Sequence, residues 1–437
     1  MPERVSSPPV LLGGHDRDLH RDRVAAGALA VPIALMPVLR PSFIATVTPV
    51  DLTIVMGVGI AVIWLGSSGH VVRLPFVLSM GLMITAGAFA GMLGSHAILG
   101  MQAILQDLLM LAWCVALANV CRTPDSLGIV VGAWAWSAIA WAGLLVVSAT
   151  FGIGGISGQQ VAAGRASLTF PNPNQAGSYF AVSLMVLLAA RVPRRRAARR
   201  AAVILVSIAM IFTSSNAALG GTFVGLLLSG VLIVRRRKGT VPAIAAGVLA
   251  AFVLVAATVV FVGTGILTSA QQSDIRILRN TLGRSEQSAE DRLLRFDELR
   301  DLYLSGGVIG YGPAASKQTQ MDLGVSVPKS AHNDLVATLV ERGIIGVVGL
   351  ALLIGSLTRK AASLASGRLL PAFSGAIRAT PFLVSGVVIV AIASISHEVL
   401  HFRHIWALFG VMAAVDLWAI DRSSEVRGRE RDRRWTT

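Results

Sequence analysis

Apolar windows of about twenty residues recur along this chain from one end to the other. Each is long enough to cross a ~30 Å hydrocarbon core as a helix. Inside such a core every backbone N–H and C=O must find its partner within the protein. Helices are therefore the default, and no alternating apolar–polar pattern suggests a barrel. Composition supports this: 54% of the residues are hydrophobic and 14% charged, where a soluble domain carries about 25% charged residues. Mean hydropathy is +0.70. The expected fold is all-α, a polytopic integral membrane protein with about twelve transmembrane helices, forming a single transmembrane domain over residues 1–437.

The apolar runs predict helices over Val24–Leu39, Phe43–Gly66, Leu74–Leu93, Ala97–Val120, Leu127–Phe151, Gln175–Arg191, Ala201–Thr213, Ala217–Val234, Val241–Gly263, Gly343–Leu357, Pro381–Ser396 and Ile405–Ile420. The N-terminal stretch is polar up to Arg23, and the first apolar run has no small-residue cleavage signature, so it reads as a retained helix. Basic clusters orient the bundle. One spans Arg191 to Arg200, a second Arg235 to Lys238, a third Arg359 to Arg378, and a fourth the tail from Arg422 to Arg434. With twelve spans all four fall on one side, which is the cytoplasm by the positive-inside rule, with both termini on that side. Two segments then face outward, 152–174 and the longer 269–331. The longer holds eight Arg/Lys and eight Asp/Glu, so its net charge is near zero. A loop that long is usually functional or disordered.

The formal charge of +15 would suggest a polyanion partner in a soluble protein. Here the charges sit between apolar segments, so nucleic-acid binding is not expected and the bilayer is the expected partner. Cys114 and Cys121 offer neither a disulfide framework nor a metal-ligand spacing.

Three stretches carry a resemblance. His332 and Asn333 are followed by nine residues, Gly343, two residues and Gly346. A segment GRASLTFPNPNQAG contains Arg165, Asn172 and Asn174. A third, from Asp291 to Pro313, has Arg292 four positions before Phe296, with Gly310 and Gly312 beyond. In this order they resemble the O-antigen ligase and polymerase superfamily of bacterial membrane glycosyltransferases. One departure is that relatives often carry Ser-Arg-Gly at the outer end of a middle helix, where this chain has Ser214, Ser215 and Asn216.

The resemblance implies a GT-C-like protein of the bacterial inner membrane. It would transfer a glycan from a polyprenyl-pyrophosphate carrier to a glycan or lipid acceptor hydroxyl at the outer face, without metal or nucleotide sugar. Negative charge grows on the departing pyrophosphate, which guanidinium forks stabilise better than ammonium groups. Arg165 and Arg292 are the catalytic candidates for that work, with Arg295 beside them. His332 suits a general base or a phosphate hydrogen-bond donor. Asn333, Asn172, Asn174 and Lys329 are candidate substrate contacts, and Ser330 a candidate helix cap. On a continuous helix Gly343 would return to within about 20° of His332, giving Gly343 and Gly346 a structural role in close packing.

A rival motif is the HEVLH run. On a helix His397 and His401 would share a face, with Glu398 as base and His404 as a third zinc ligand. A polar wall of a glycan cavity is the other reading of that run. Asp51 is an intramembrane carboxylate, which is a functional candidate or an interface residue. A flippase of lipid-linked sugars would explain the helices, although not the long loop ending in the His-Asn motif.

Overall fold

The computed structural model describes residues 13–40, 42, 47–69, 71–153, 165–264, 266–274, 279, 302–304, 308–325, 333–366 and 374–418. His332, Arg292, Arg295, Lys329 and Ser330 lie outside these, as do Phe296 and the tail cluster.

Among the described residues the structure is helical and contains no strand. The helices are α1 (Gly13–Leu35), α2 (Pro49–Ser68), α3 (Val77–Leu93), α4 (Ala97–Val120), α5 (Pro124–Phe151), α6 (Pro173–Ala189), α7 (Arg196–Phe212), α8 (Asn216–Lys238), α9 (Thr240–Gly263), α10 (Ile266–Gln271), α11 (Ser316–Asp322), α12 (Asp334–Ala365) and α13 (Thr380–Ser396). A last helix, α14, runs over 403–418. Six of them are long and apolar enough to cross a membrane by length and composition: α2, α4, α5, α8, α9 and α12. Two more, α3 and α13, are apolar but shorter. Six spans, against about twelve expected, therefore meet both criteria.

Helix ends follow the capping chemistry rather than the edges of the apolar runs. Pro124 opens α5 behind Thr123, whose hydroxyl accepts from Ser126 N. Pro173 opens α6 behind Asn172, whose side chain accepts from Gln175 N. Proline fits the first helical position, where its missing N–H is not needed. At the other end of a helix, α8 runs four residues past the expected Val234 through Arg235, Arg236, Arg237 and Lys238. Cations there complement the negative end of the helix dipole.

Two helices form the centre. α6 is buried on nearly every face, and α14 is fully buried from Phe402's neighbour Arg403 to Val415. Around them α12 packs on α3, α13 on α8 and α6, α1 on α5 and α2, and α5 on α7. The outermost helix, α9, exposes Val241, Ile244, Val248, Leu249 and Phe252. A contiguous apolar surface of that kind belongs against lipid.

The ends of the bundle differ in chemistry. At one end Arg199 donates to Leu187 O and Leu188 O at the close of α6. Arg236 reaches Leu364 O at the close of α12 and the Thr380 hydroxyl at the start of α13. The opposite end gathers the starts of α2, α6, α12 and α14, and it holds the described site candidates.

Candidate active site

The site is organised by the turn between α13 and α14. Within residues 399–404 it touches three other helices. Val399 N and Leu400 N donate to the Asp334 carboxylate at 3.0 and 3.4 Å. Arg403 forms a two-pronged ion pair with Asp51 of α2, at 2.9 and 2.7 Å. His404 Nε2 lies 3.1 Å from Ser178 Oγ of α6. Asp51 is further fixed by the Thr48 backbone N–H and hydroxyl, at 2.9 and 2.7 Å. The intramembrane carboxylate flagged in the sequence is thus one half of a buried ion pair that anchors the turn.

The HEVLH run occupies this turn and not a helix. His397 caps α13 in extended conformation, and residues 397–402 are non-helical. The shared helical face that a zinc protease motif needs is therefore not formed. Among the described residues no group of three or more His, Cys, Asp or Glu side chains is arranged to hold a metal ion.

α12 begins at Asp334, with Asn333 as its cap. Asn333 Oδ1 accepts from Leu335 N and Val336 N at 2.8 and 3.2 Å, and Nδ2 donates to Ile395 O at 3.1 Å. The side chain is thus engaged with protein at both ends, and it holds the residue before the helix against the close of α13. The helix expected to pass without interruption through Gly343 does not do so. Gly343 breaks it, with φ +62° and ψ −163°. The expected Gly343–Leu357 helix becomes the second limb of a longer element that begins at Asp334.

The break is filled by residues 308–312 of the long loop. Ile344 N donates to Val308 O at 3.1 Å, while Tyr311 N and Gly312 N donate to Val340 O and Glu341 O at 3.0 Å each. A Cβ on Gly343 would lie 2.0 Å from Val308 O. Gly310, at φ +91°, passes so close that its own Cβ would stand 2.8 Å from Gly343 N. Beyond it the loop wedges between α3 and α4, where a Cβ on Gly94 would lie 2.4 Å from Tyr311 O. Gly346 faces Arg342, and Gly349 is the residue that packs on α3, against Ser79 O and Met83. Leu302, in the third stretch, is buried with Val340 of α12. The fold therefore brings the Gly-x-Gly turn of the third stretch onto the helix that Asn333 caps.

Two cavities flank this start of α12. One, of about 250 Å³, has a mixed lining: Glu341, Arg342, Asp107, Asp334, Glu398 and His401 stand beside Met80, Met83, Leu400 and Trp406. Arg342 pairs with Asp107 of α4 at 2.7 Å, and the Ser316 hydroxyl donates to Glu341 at 2.8 Å. The other, of about 370 Å³, is apolar. It runs between α12 and α13 from Asn333 and Leu335 past Leu350 and Leu353 to Leu357 and Thr358.

Arg165 stands at the start of α6. Its Nη2 donates to Asn174 Oδ1 at 2.6 Å and its Nε to Thr213 O at 3.0 Å. Two sequence candidates are so joined to one another, while Asn172 serves as the cap. Beside Thr213, the hydroxyls of Ser214 and Ser215 are buried with no hydrogen-bond partner.

Residues 201–351 match the O-antigen ligase family. No curated protein matches the chain. The O-antigen ligase match begins in α7 and ends in α12 beyond Gly349, so it covers the long loop, the His-Asn pair and the break. The resemblance read from the motifs is thus found again over this stretch. Arg165, Asn174 and the α13–α14 turn lie outside it.

Reading the sequence alone missed Asp107, Asp334, Glu341, Arg342 and Arg403 as site residues. A signal was available, since ionisable residues inside apolar segments are functional candidates by default.

Proposed function

We propose that this protein is a multi-pass glycosyltransferase of the bacterial inner membrane. About twelve helices cross the bilayer, both termini are cytoplasmic, and the start of α12 faces outward. The donor is a glycan on a polyprenyl-pyrophosphate carrier and the acceptor is a hydroxyl on a second glycan or lipid. The observation that carries this reading is the setting of Asn333, the residue that follows His332. It caps a helix between an apolar groove suited to an isoprenoid chain and a cavity with several charged side chains suited to sugar hydroxyls, within a region that matches O-antigen ligases.

In the transfer the acceptor oxygen forms a bond to the anomeric carbon. The bond from that carbon to the phosphate oxygen breaks, and the lipid pyrophosphate leaves with the electron pair. Arg292 and Arg165 stabilise the growing phosphate charge, with Arg295 and Lys329 adding donors. His332 takes the acceptor proton or donates to the pyrophosphate, and the pH profile of kcat separates the two roles. Asn333, occupied as a cap, holds His332 in place. Asn174 orients Arg165.

The deciding experiment compares surface and lipid-linked glycans in cells lacking this protein, complemented with the wild type or with His332→Ala. Single repeats replacing a ladder identify a polymerase. Full-length chains stranded on the carrier identify a ligase. Donor retained on the cytoplasmic side would instead indicate a transporter, and full activity of His332→Ala, Arg165→Ala and Arg292→Ala would overturn the site.

A further inference from the structure

At the end of the bundle opposite this site lies a cavity of about 990 Å³ that the transfer reaction does not use. Six arginines line it: Arg23, Arg191, Arg194, Arg196, Arg199 and Arg378. Among the described residues the only carboxylate in its wall is Asp125, and that is paired with Arg23 at 3.0 Å. The cavity thus carries a large unbalanced positive charge.

Its arginines are held together by the fold. The link between α6 and α7 and the segment before α13 pair through their backbones: Ala190 and Ile377 form an isolated antiparallel bridge. Arg191 N donates to Ala376 O at 3.3 Å, and Arg378 N to Ala189 O at 2.7 Å. Arg191 and Arg378 are therefore fixed on one wall. Arg199 is held on another, because its guanidinium caps the last carbonyls of α6. α7 opens at Arg196 with no side chain capping its N-terminus, so its free N–H groups and dipole add to the same positive field. Like charges fixed around a concavity repel one another unless an anion joins them. Planar guanidinium forks match phosphate oxygens.

We propose that this cavity binds the phosphate headgroup of an acidic phospholipid from the cytoplasmic leaflet. That side follows from the inside-positive orientation proposed above; the lipid site does not depend on the glycan-transfer chemistry. A basic pocket between transmembrane helices at the cytoplasmic surface is where such headgroups dock. The cavity borders α5, one of the helices long and apolar enough to cross a membrane, so an acyl chain can stay in the bilayer while the headgroup enters.

The test is native mass spectrometry of the full-length protein, purified in mild detergent and incubated with cardiolipin or with phosphatidylcholine. Cardiolipin is expected to remain bound in discrete stoichiometry and phosphatidylcholine not. The triple variant Arg191→Gln, Arg194→Gln, Arg196→Gln should lower cardiolipin retention roughly tenfold or more, since it removes three charge-assisted phosphate donors. Arg199 is left in place because it also closes α6. A matched variant, Arg235→Gln, Arg237→Gln, Lys238→Gln, removes the same charge outside the cavity and should retain the lipid. Equal loss in both variants would reduce the effect to general surface charge and overturn the site. Cavity-dependent binding of inorganic phosphate without lipid retention would assign a soluble phosphate ligand and overturn the lipid assignment. Glycan transfer is assayed on the same preparations, so loss of that reading leaves the lipid result standing.

Discussion

At the scale of single residues, the positions that matter most are those where backbone or charge has no alternative. Gly343 is in the left-handed half of conformational space with a carbonyl oxygen where a side chain would begin. Gly343→Ala should cost about 1–3 kcal/mol in backbone strain alone, with further loss from collision, measured as a lowered melting temperature in detergent. Gly355→Ala is the control, because open space surrounds it on the same helix and it should be neutral or slightly stabilising. The Asp51–Arg403 pair makes a different demand. Both side chains are buried, so Arg403→Met leaves a carboxylate unpaired and should cost about 3–5 kcal/mol. The double variant Asp51→Leu, Arg403→Met should recover most of that loss, and failure to recover would mean that the pair does more than satisfy itself. Lys360 and Asp416, 2.8 Å apart in the interior, form a second such pair.

Elements are coupled through short polar links rather than through broad faces alone. The Asp334 carboxylate is the tie between the start of α12 and the α13–α14 turn. Asp334→Ala should lower stability by about 1–3 kcal/mol, because two buried N–H groups lose their acceptor. It should also lower kcat, as the start of α12 loses its tie to the turn; unchanged turnover would show that the turn does not position the site. The same turn carries the HEVLH run. Extended and turn backbone separates the two histidines from the one-turn spacing that a zinc ligand pair uses. Metal analysis of the purified protein should therefore return no stoichiometric zinc dependent on His397 and His401. A bound ion lost on His397→Ala and His401→Ala would restore the protease reading. Helix ends tell the same story in reverse, since α12 starts nine residues before its apolar run because Asn333 caps it, and α7 starts five residues early because arginine is a good helix former.

Across the whole molecule the two ends differ in chemistry, and their placement relative to the bilayer can be measured. Cys114 and Cys121 are both buried, which makes a low-background host for introduced thiols. Lys317→Cys, at the end that holds the candidate site, should react with a membrane-impermeant maleimide in intact spheroplasts. Ser374→Cys, beside the arginine cavity, should react only after permeabilisation. The reverse pattern would invert the proposed orientation. The sequence by itself determined the helical class, the membrane setting and the order of the helices, because apolar runs of spanning length admit no other backbone. It also carried the resemblance, through His332, Asn333, Gly343 and Gly346 in their spacing. It could not show that Gly343 breaks its helix, because the cause is a carbonyl thirty-five residues earlier, that of Val308. Nor could it pair Asp51 with Arg403 across almost the whole chain, or Arg191 with Arg378 around one cavity. Propensity and hydropathy are local quantities, whereas the partner of a buried charge and the strain on a glycine are set by whatever the packed bundle brings alongside them.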